Sequence, residues 1–141
     1  MIVDANPIIS ACLGRSRPLF TALLGAGIDL FAPEQQMREA ELIVAREGRS
    51  RGQDLTRLFG WVGQALSIVP NDIYSVFEGA ARERLQPAGQ KDWPLLALAL
   101  ATNDDVWSND VDLFGTGIPV WNTHNIRRTV LRSAQLGTEH A

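Results

Sequence analysis

Asp4, Asp92, Asp110 and Asp112 each stand where an apolar run of this chain begins or ends, and a glutamate pair, Glu39 and Glu41, lies between them in the sequence. Carboxylates gathered at the ends of buried segments repel one another and must be neutralised by protons, basic side chains or a metal. Sets of oxygen ligands suit hard divalent cations such as Mg²⁺ or Mn²⁺, and magnesium keeps several waters, so such a site usually takes substrate phosphate as well. Two such ions can activate a water, stabilise an in-line transition state at phosphorus and neutralise the leaving oxygen. Other chemistries find less support. His124 stands near a helix start and His140 near the end of the sequence, which gives no Ser-His-Asp arrangement. Gly25-Ala26-Gly27 and Gly115-Thr116-Gly117 lack the lysine of a phosphate-binding loop and read as turns. Ser108 has no evident base, so it reads as a hydroxyl that orients an acid or a metal-bound water. A phosphatase or receiver-like site needs a phosphoacceptor aspartate with a partner lysine, and Lys91, the only lysine, lies beside Asp92 at a helix start.

The elements that must position these acids follow from the hydrophobic pattern. Met1 to Val3 predicts a short buried strand with Asp4 at its carboxyl end, broken by Asn6-Pro7. Ligands of open parallel sheets bind beyond the carboxyl ends of strands, so Asp4 is placed either for chemistry or simply to cap the next helix. A helix over Leu19 to Leu24, a strand over Ile28 to Pro33 and a helix from Glu34 to Glu47, stopped by Gly48, come next. In that last helix Glu39 and Glu41 are about 200° apart and cannot share one pocket. Glu39 shares a face with Leu42 and Ile43, and Glu41 with Met37, Val44 and Ala45, which leaves the choice open. Leu55 to Leu66 recurs at helical spacing, Ser67 to Pro70 is a short strand, and Asn71 or Asp72 caps a helix through about Leu85. Asp92 is placed as the N-cap of the apolar helix Leu95 to Ala101. Val106 to Ser108 and Ile118 to Trp121 are strands, and His124 to Gln135 is a basic helix. Alternation of strands and helices predicts a mainly parallel α/β sheet covered on both faces.

At 141 residues, with 45% hydrophobic and 21% charged residues, the chain predicts a single domain over residues 1–141 with its own core. The lone Cys12 follows an apolar segment and predicts a core thiol in a reducing compartment. No uncharged apolar run approaches about 18 residues and no secretory leader is evident, which predicts a cytoplasmic protein with no membrane partner. A net charge of −3 argues against holding a polyanion through overall charge, because phosphate binding needs locally clustered basic residues. Arg15, Arg17, Arg46, Arg49, Arg51, Arg127 and Arg128 are open to either reading, phosphate contacts beside the acids or solvated surface charges, and none is taken as a site residue. Most of Trp61, Trp93, Trp107 and Trp121 are expected in the core rather than stacked on bases.

Ile2-Val3-Asp4-Ala5-Asn6-Pro7, the helix start at Pro33 to Glu39, Asp92-Trp93-Pro94-Leu95 and Val106-Trp107-Ser108-Asn109-Asp110-Val111-Asp112-Leu113-Phe114 together resemble the successive motifs of PIN domains. The resemblance implies a three-layer α/β/α fold with a central, mainly parallel sheet and metal-dependent cleavage of RNA, with Mg²⁺ or Mn²⁺ as cofactor. By position it implies that Asp4, Glu39, Asp92 and Asp110 are catalytic and bind the metal, that Asp112 is an additional metal ligand, and that Ser108 supports them. Glu39 is chosen because it lies six residues after Pro33. Small members of this kind are often toxins of toxin-antitoxin pairs, dimeric and blocked by an antitoxin protein. The competing expectation is a noncatalytic PIN-like module for protein association or RNA binding.

Overall fold

The computed structural model describes residues 1–139. Its first strand, β1 (Ile2–Val3), is wholly buried, with Ile2 and Val3 pointing to opposite faces of the sheet as the twofold period of a strand requires. α1 (Ala5–Cys12) follows at once: Pro7 lies in its first turn, where the missing N–H has no intrahelical acceptor, so the strand gives way at Asn6-Pro7 directly to a helix. α2 (Arg17–Gly25) has Pro18 in its first turn and leads to β2 (Phe31–Pro33).

α3 spans Glu34–Ser50 and runs straight through Gly48, where a stop was expected. A Cβ at that glycine would meet the Gln53 carbonyl oxygen at 2.7 Å, so the residue is small because the returning chain packs on the helix. α4 (Thr56–Ala65) and the edge strand β3 (Ser67–Val69) follow. The expected helix from Asn71 to Leu85 is instead α5 (Asn71–Tyr74), a 3₁₀ turn over Ser75–Phe77 and α6 (Glu78–Glu83). A second 3₁₀ segment, Pro87–Asp92, delivers the chain to α7 (Trp93–Thr102), which is buried almost all round and ends at Asn103 in the left-handed conformation. β4 (Val106–Trp107), a 3₁₀ turn over Val111–Leu113, β5 (Val120–Trp121) and α8 (Thr123–Glu139) complete it.

The five strands are ordered β3-β2-β1-β4-β5, and each of the four pairings is parallel. One hydrophobic cluster gathers Val3, Ala32 and Trp107 with side chains of α1, α2, α3, α4 and α8. The other gathers Ile2 and Val106 with α7 and the segments packed on it. This is the three-layer α/β/α arrangement. Its consequence for function lies at β1, where the strand order reverses: the chain winds outward through β2 and β3, then returns to build β4 and β5 on the other side. The crevice beyond the carboxyl ends of β1 and β4 is therefore a topological switch point, where open α/β sheets place their ligands. No helix among the described residues is long and apolar enough to cross a membrane.

Candidate active site

Asp4 follows β1 directly and is held at both carboxylate oxygens. Oδ1 accepts the Ala5 backbone N–H at 2.7 Å, and Oδ2 accepts the Ser108 hydroxyl at 2.6 Å. The first bond caps α1 and still leaves capacity, because an ionised carboxylate offers about four lone-pair positions. Ser108 follows β4, is fully buried, and also accepts the Asp110 backbone N–H at 3.0 Å. One hydroxyl thus ties the β1 acid to the backbone that carries the β4 acid. Buried as it is, Ser108 orients acids and has no access to a substrate.

Asp110 is steadied in turn by the Asp112 backbone N–H, which donates to its Oδ1 at 2.9 Å. Asp112 itself leads elsewhere. Its side chain lies against Gly89, where an added Cβ would come within 3.0 Å of the Asp112 Cβ, and it does not line the cavity formed by the other acids. Asp92 occupies the N-cap position of α7, yet its side chain makes no capping bond. Its Oδ2 is buried without a hydrogen-bond partner. The capping role open to Asp92 in the sequence is therefore not what holds its carboxyl.

These side chains meet around one cavity of about 340 Å³, whose wall includes Asp4, Glu39, Asp92 and Asp110. Glu39 reaches it from α3; Glu41, on the other face of that helix, lines a different cavity with Val44 and Ala45. The acids feel one another. Burial pushes the Asp92 carboxyl up to about 7, helped by its hydrogen bond with Asp110 and by repulsion from Asp4 and Asp110, while Lys91 opposes the shift. Burial also raises Asp4, as do the charges of Glu39 and Asp110, against the lowering effect of its bonds to Ser108 and Ala5. Three further polar residues of the wall, Asn6, Lys91 and Asn109, are not among the site residues the sequence suggests. Each adjoins a candidate acid or follows it by two positions, the only sequence signal they carry. Asn109 is fixed to the start of α8, accepting the Thr123 N–H at 2.8 Å and donating to its hydroxyl at 2.9 Å.

Among the described residues no three acidic, histidine or cysteine side chains stand close enough to hold a metal ion as a finished group. The donor set nevertheless fits a hard divalent cation. It consists of carboxylates, one of its buried oxygens lacks a partner, and its acids raise one another's proton affinity, which a cation between them would relieve. Elsewhere, Cys12 is buried and its thiol pushed up to about 11, as expected of a core residue. Arg17 donates to the Ala11 and Cys12 carbonyls and Arg51 pairs with Glu47, so these two have intramolecular partners. Trp93 and Trp107 are in the core, and Trp61 is exposed.

Comparison with known proteins bears on the fold and the family. A family model described as PIN domain matches residues 2–130. Among solved structures, the crystal structure of PAE2754 from Pyrobaculum aerophilum is similar, with a TM-score of 0.67 and 15% identity over 95% of this chain and 88% of that one, a likeness of fold. No curated protein matches the sequence.

Proposed function

Since this chain belongs to the PIN domain family, whose members are generally nucleases that typically use divalent metals, we propose that it is a Mg²⁺- or Mn²⁺-dependent endoribonuclease, the toxin of a toxin-antitoxin pair. The observation that carries the reading is the cavity at the switch point, walled by four acids from four separate segments of the chain, with the Asp92 Oδ2 buried and unpartnered beside it. Asp4, Glu39, Asp92 and Asp110 would hold the cation, directly or through water. When bound, it supplies charge to stabilise the developing anion at phosphorus and acidifies water at neutral pH. The chain's own residues do the positioning. Ser108 locks Asp4 and Asp110 into one frame, and Asp112 contributes its backbone N–H to Asp110. Asp92, which holds a proton near neutrality, can release it when a cation enters. The expected partners are RNA, an antitoxin protein and a second copy of the chain, in the cytoplasm.

The test is cleavage of RNA by the purified protein with Mg²⁺ or Mn²⁺. Asp4→Asn and Asp110→Asn should each lower the rate by at least about 100-fold, as loss of a catalytic metal ligand would, while circular dichroism stays unchanged. Cleavage at the wild-type rate in either folded variant would sink the assignment. The spacing of the acids favours a second reading, since they do not close into a group of three at metal range. On that reading the domain is a noncatalytic module for protein association or RNA binding. Calorimetric titration separates the two: binding of Mn²⁺ that Asp110→Asn abolishes supports the nuclease, and no binding at millimolar metal supports the module.

A further inference from the structure

A cavity ringed by carboxylates repels the substrate it is proposed to cut, so a nuclease of this kind needs cationic contacts on the phosphates that flank the bond to be broken. Overall charge cannot supply them, because the chain carries a net charge of −3. Next to the acidic cavity lies a second one of about 330 Å³, whose lining has no acidic residue and two arginines, Arg15 and Arg127. The cavities adjoin, since Asn6, Ile9 and Asn109 line both. The arginines reach it from opposite ends of the chain, Arg15 from the connection between α1 and α2 and Arg127 from the second turn of α8. Both are exposed, and neither forms an ion pair among the described residues. Arg38, Arg51 and Arg82, by contrast, each pair with a glutamate four residues earlier.

The side of this basin shared with the acidic cavity is tied down by hydrogen bonds. Asn109 is bonded to Thr123 through its amide nitrogen and its carbonyl oxygen, and the Trp107 indole donates to the same Thr123 hydroxyl at 3.1 Å. α8 therefore starts from a fixed point at the basin edge, and the positive end of its dipole adds to the field of the two guanidiniums. We propose that this basin is a phosphate subsite for single-stranded RNA: Arg15 and Arg127 hold a backbone phosphate adjacent to the one in the acidic cavity, and Asn6, Ile9 and Asn109 form the ridge between the two. The inference rests on the nuclease reading and adds the direction in which the strand leaves the cleavage site. Guanidinium forks suit phosphate oxygens. They also carry no base information, so the subsite sets register and leaves sequence choice to other contacts.

The experiment measures binding rather than cleavage. A fluorescently labelled oligoribonucleotide is titrated with the full chain in EDTA, and anisotropy is followed from low to high salt. The double variant Arg15→Gln, Arg127→Gln should bind about fivefold more weakly at 0.1 M salt, with the slope of log K against log salt shallower by about 0.7, the effect of one lost single-strand phosphate contact. The loss should be the same for oligonucleotides of different base composition. Arg57→Gln, at an exposed position of α4 that lines neither cavity, is the control and should match wild type. A double variant that binds RNA as wild type does, with the same salt slope, overturns the subsite and leaves the nuclease reading standing. Failure of the wild-type chain to bind any RNA overturns both. If an acidic peptide binds through these arginines and RNA does not, the subsite belongs to a protein partner and the proposal falls.

Discussion

At the scale of single residues, the site is defined by how differently its acids are solvated. Asp4 and Asp92 are both nearly inaccessible, but Asp4 has two donors on its carboxylate and Asp92 has one oxygen with none. That contrast fixes a pH dependence. The Asp92 carboxyl titrates at about 7 in the fold, and an unfolded aspartate titrates near about 4. Between those values the folded chain keeps a proton that the unfolded chain releases, so stability falls as pH rises through the window. Burial moves Asp4 in the same direction. In metal-free buffer the thermal midpoint should therefore be higher at pH 5 than at pH 8, and Asp92→Asn, neutral at both, should flatten the difference. Thermal melts by circular dichroism in EDTA check this, and a wild-type profile as flat as that of the variant would show that the carboxyl is solvated after all. Mn²⁺ added at pH 8 should restore stability to wild type more than to Asp92→Asn.

At the scale of elements, the sequence was most legible where the acids sit beside strong patterns. The apolar runs of β1, β4 and α7 are short and unambiguous, and Asp4, Ser108, Asp110 and Asp92 fall at their ends. Periodicity could say that Glu39 and Glu41 face apart, but not which of them meets Asp4, because that depends on how α3 rolls against α1 and the sheet. Asp112 is open in the sequence for a similar reason. Its spacing from Asp110 fits a shared site, but the 3₁₀ turn over Val111–Leu113 directs its side chain against Gly89. Gly48 was misread because glycine at the end of a helical pattern signals either a stop or a close approach, and only the position of Gln53 decides between them. The approach makes a prediction. Gly48→Ala would normally favour a helix by about 1 kcal/mol, but here a Cβ collides with a backbone oxygen that cannot rotate away. The variant should instead lose about 1–3 kcal/mol, the usual scale of overpacking, measured as a lower urea midpoint. A gain in stability would mean that the turn after α3 can shift freely.

At the scale of the whole molecule, the site draws on both layers of helices and on the sheet between them. Glu39 comes from α3, whose buried side chains belong to one cluster, and Asp92 from the start of α7, whose side chains build the other. Asp4 and Asp110 come from the segments that follow the carboxyl ends of the interior strands β1 and β4. The clusters are separate on paper yet share every central strand, since Ile2 and Val3, like Val106 and Trp107, point into opposite ones. With strands of two or three residues, neither layer has enough sheet to stand without the other. Damage to one cluster should therefore be felt as a single loss by the whole. Leu96 is fully buried in α7, and Leu96→Ala should lower stability by roughly 2–5 kcal/mol. It should do so as one urea transition, coincident by fluorescence and far-ultraviolet circular dichroism, with an unchanged slope. A cation bound between the layers must then stabilise the entire molecule, because it binds only when both are in place. At about 100 times its dissociation constant it should add about 2.7 kcal/mol to that same transition. Two transitions, one sensitive to Leu96→Ala and the other not, would mean that the layers fold independently and that the acids are not held in one frame.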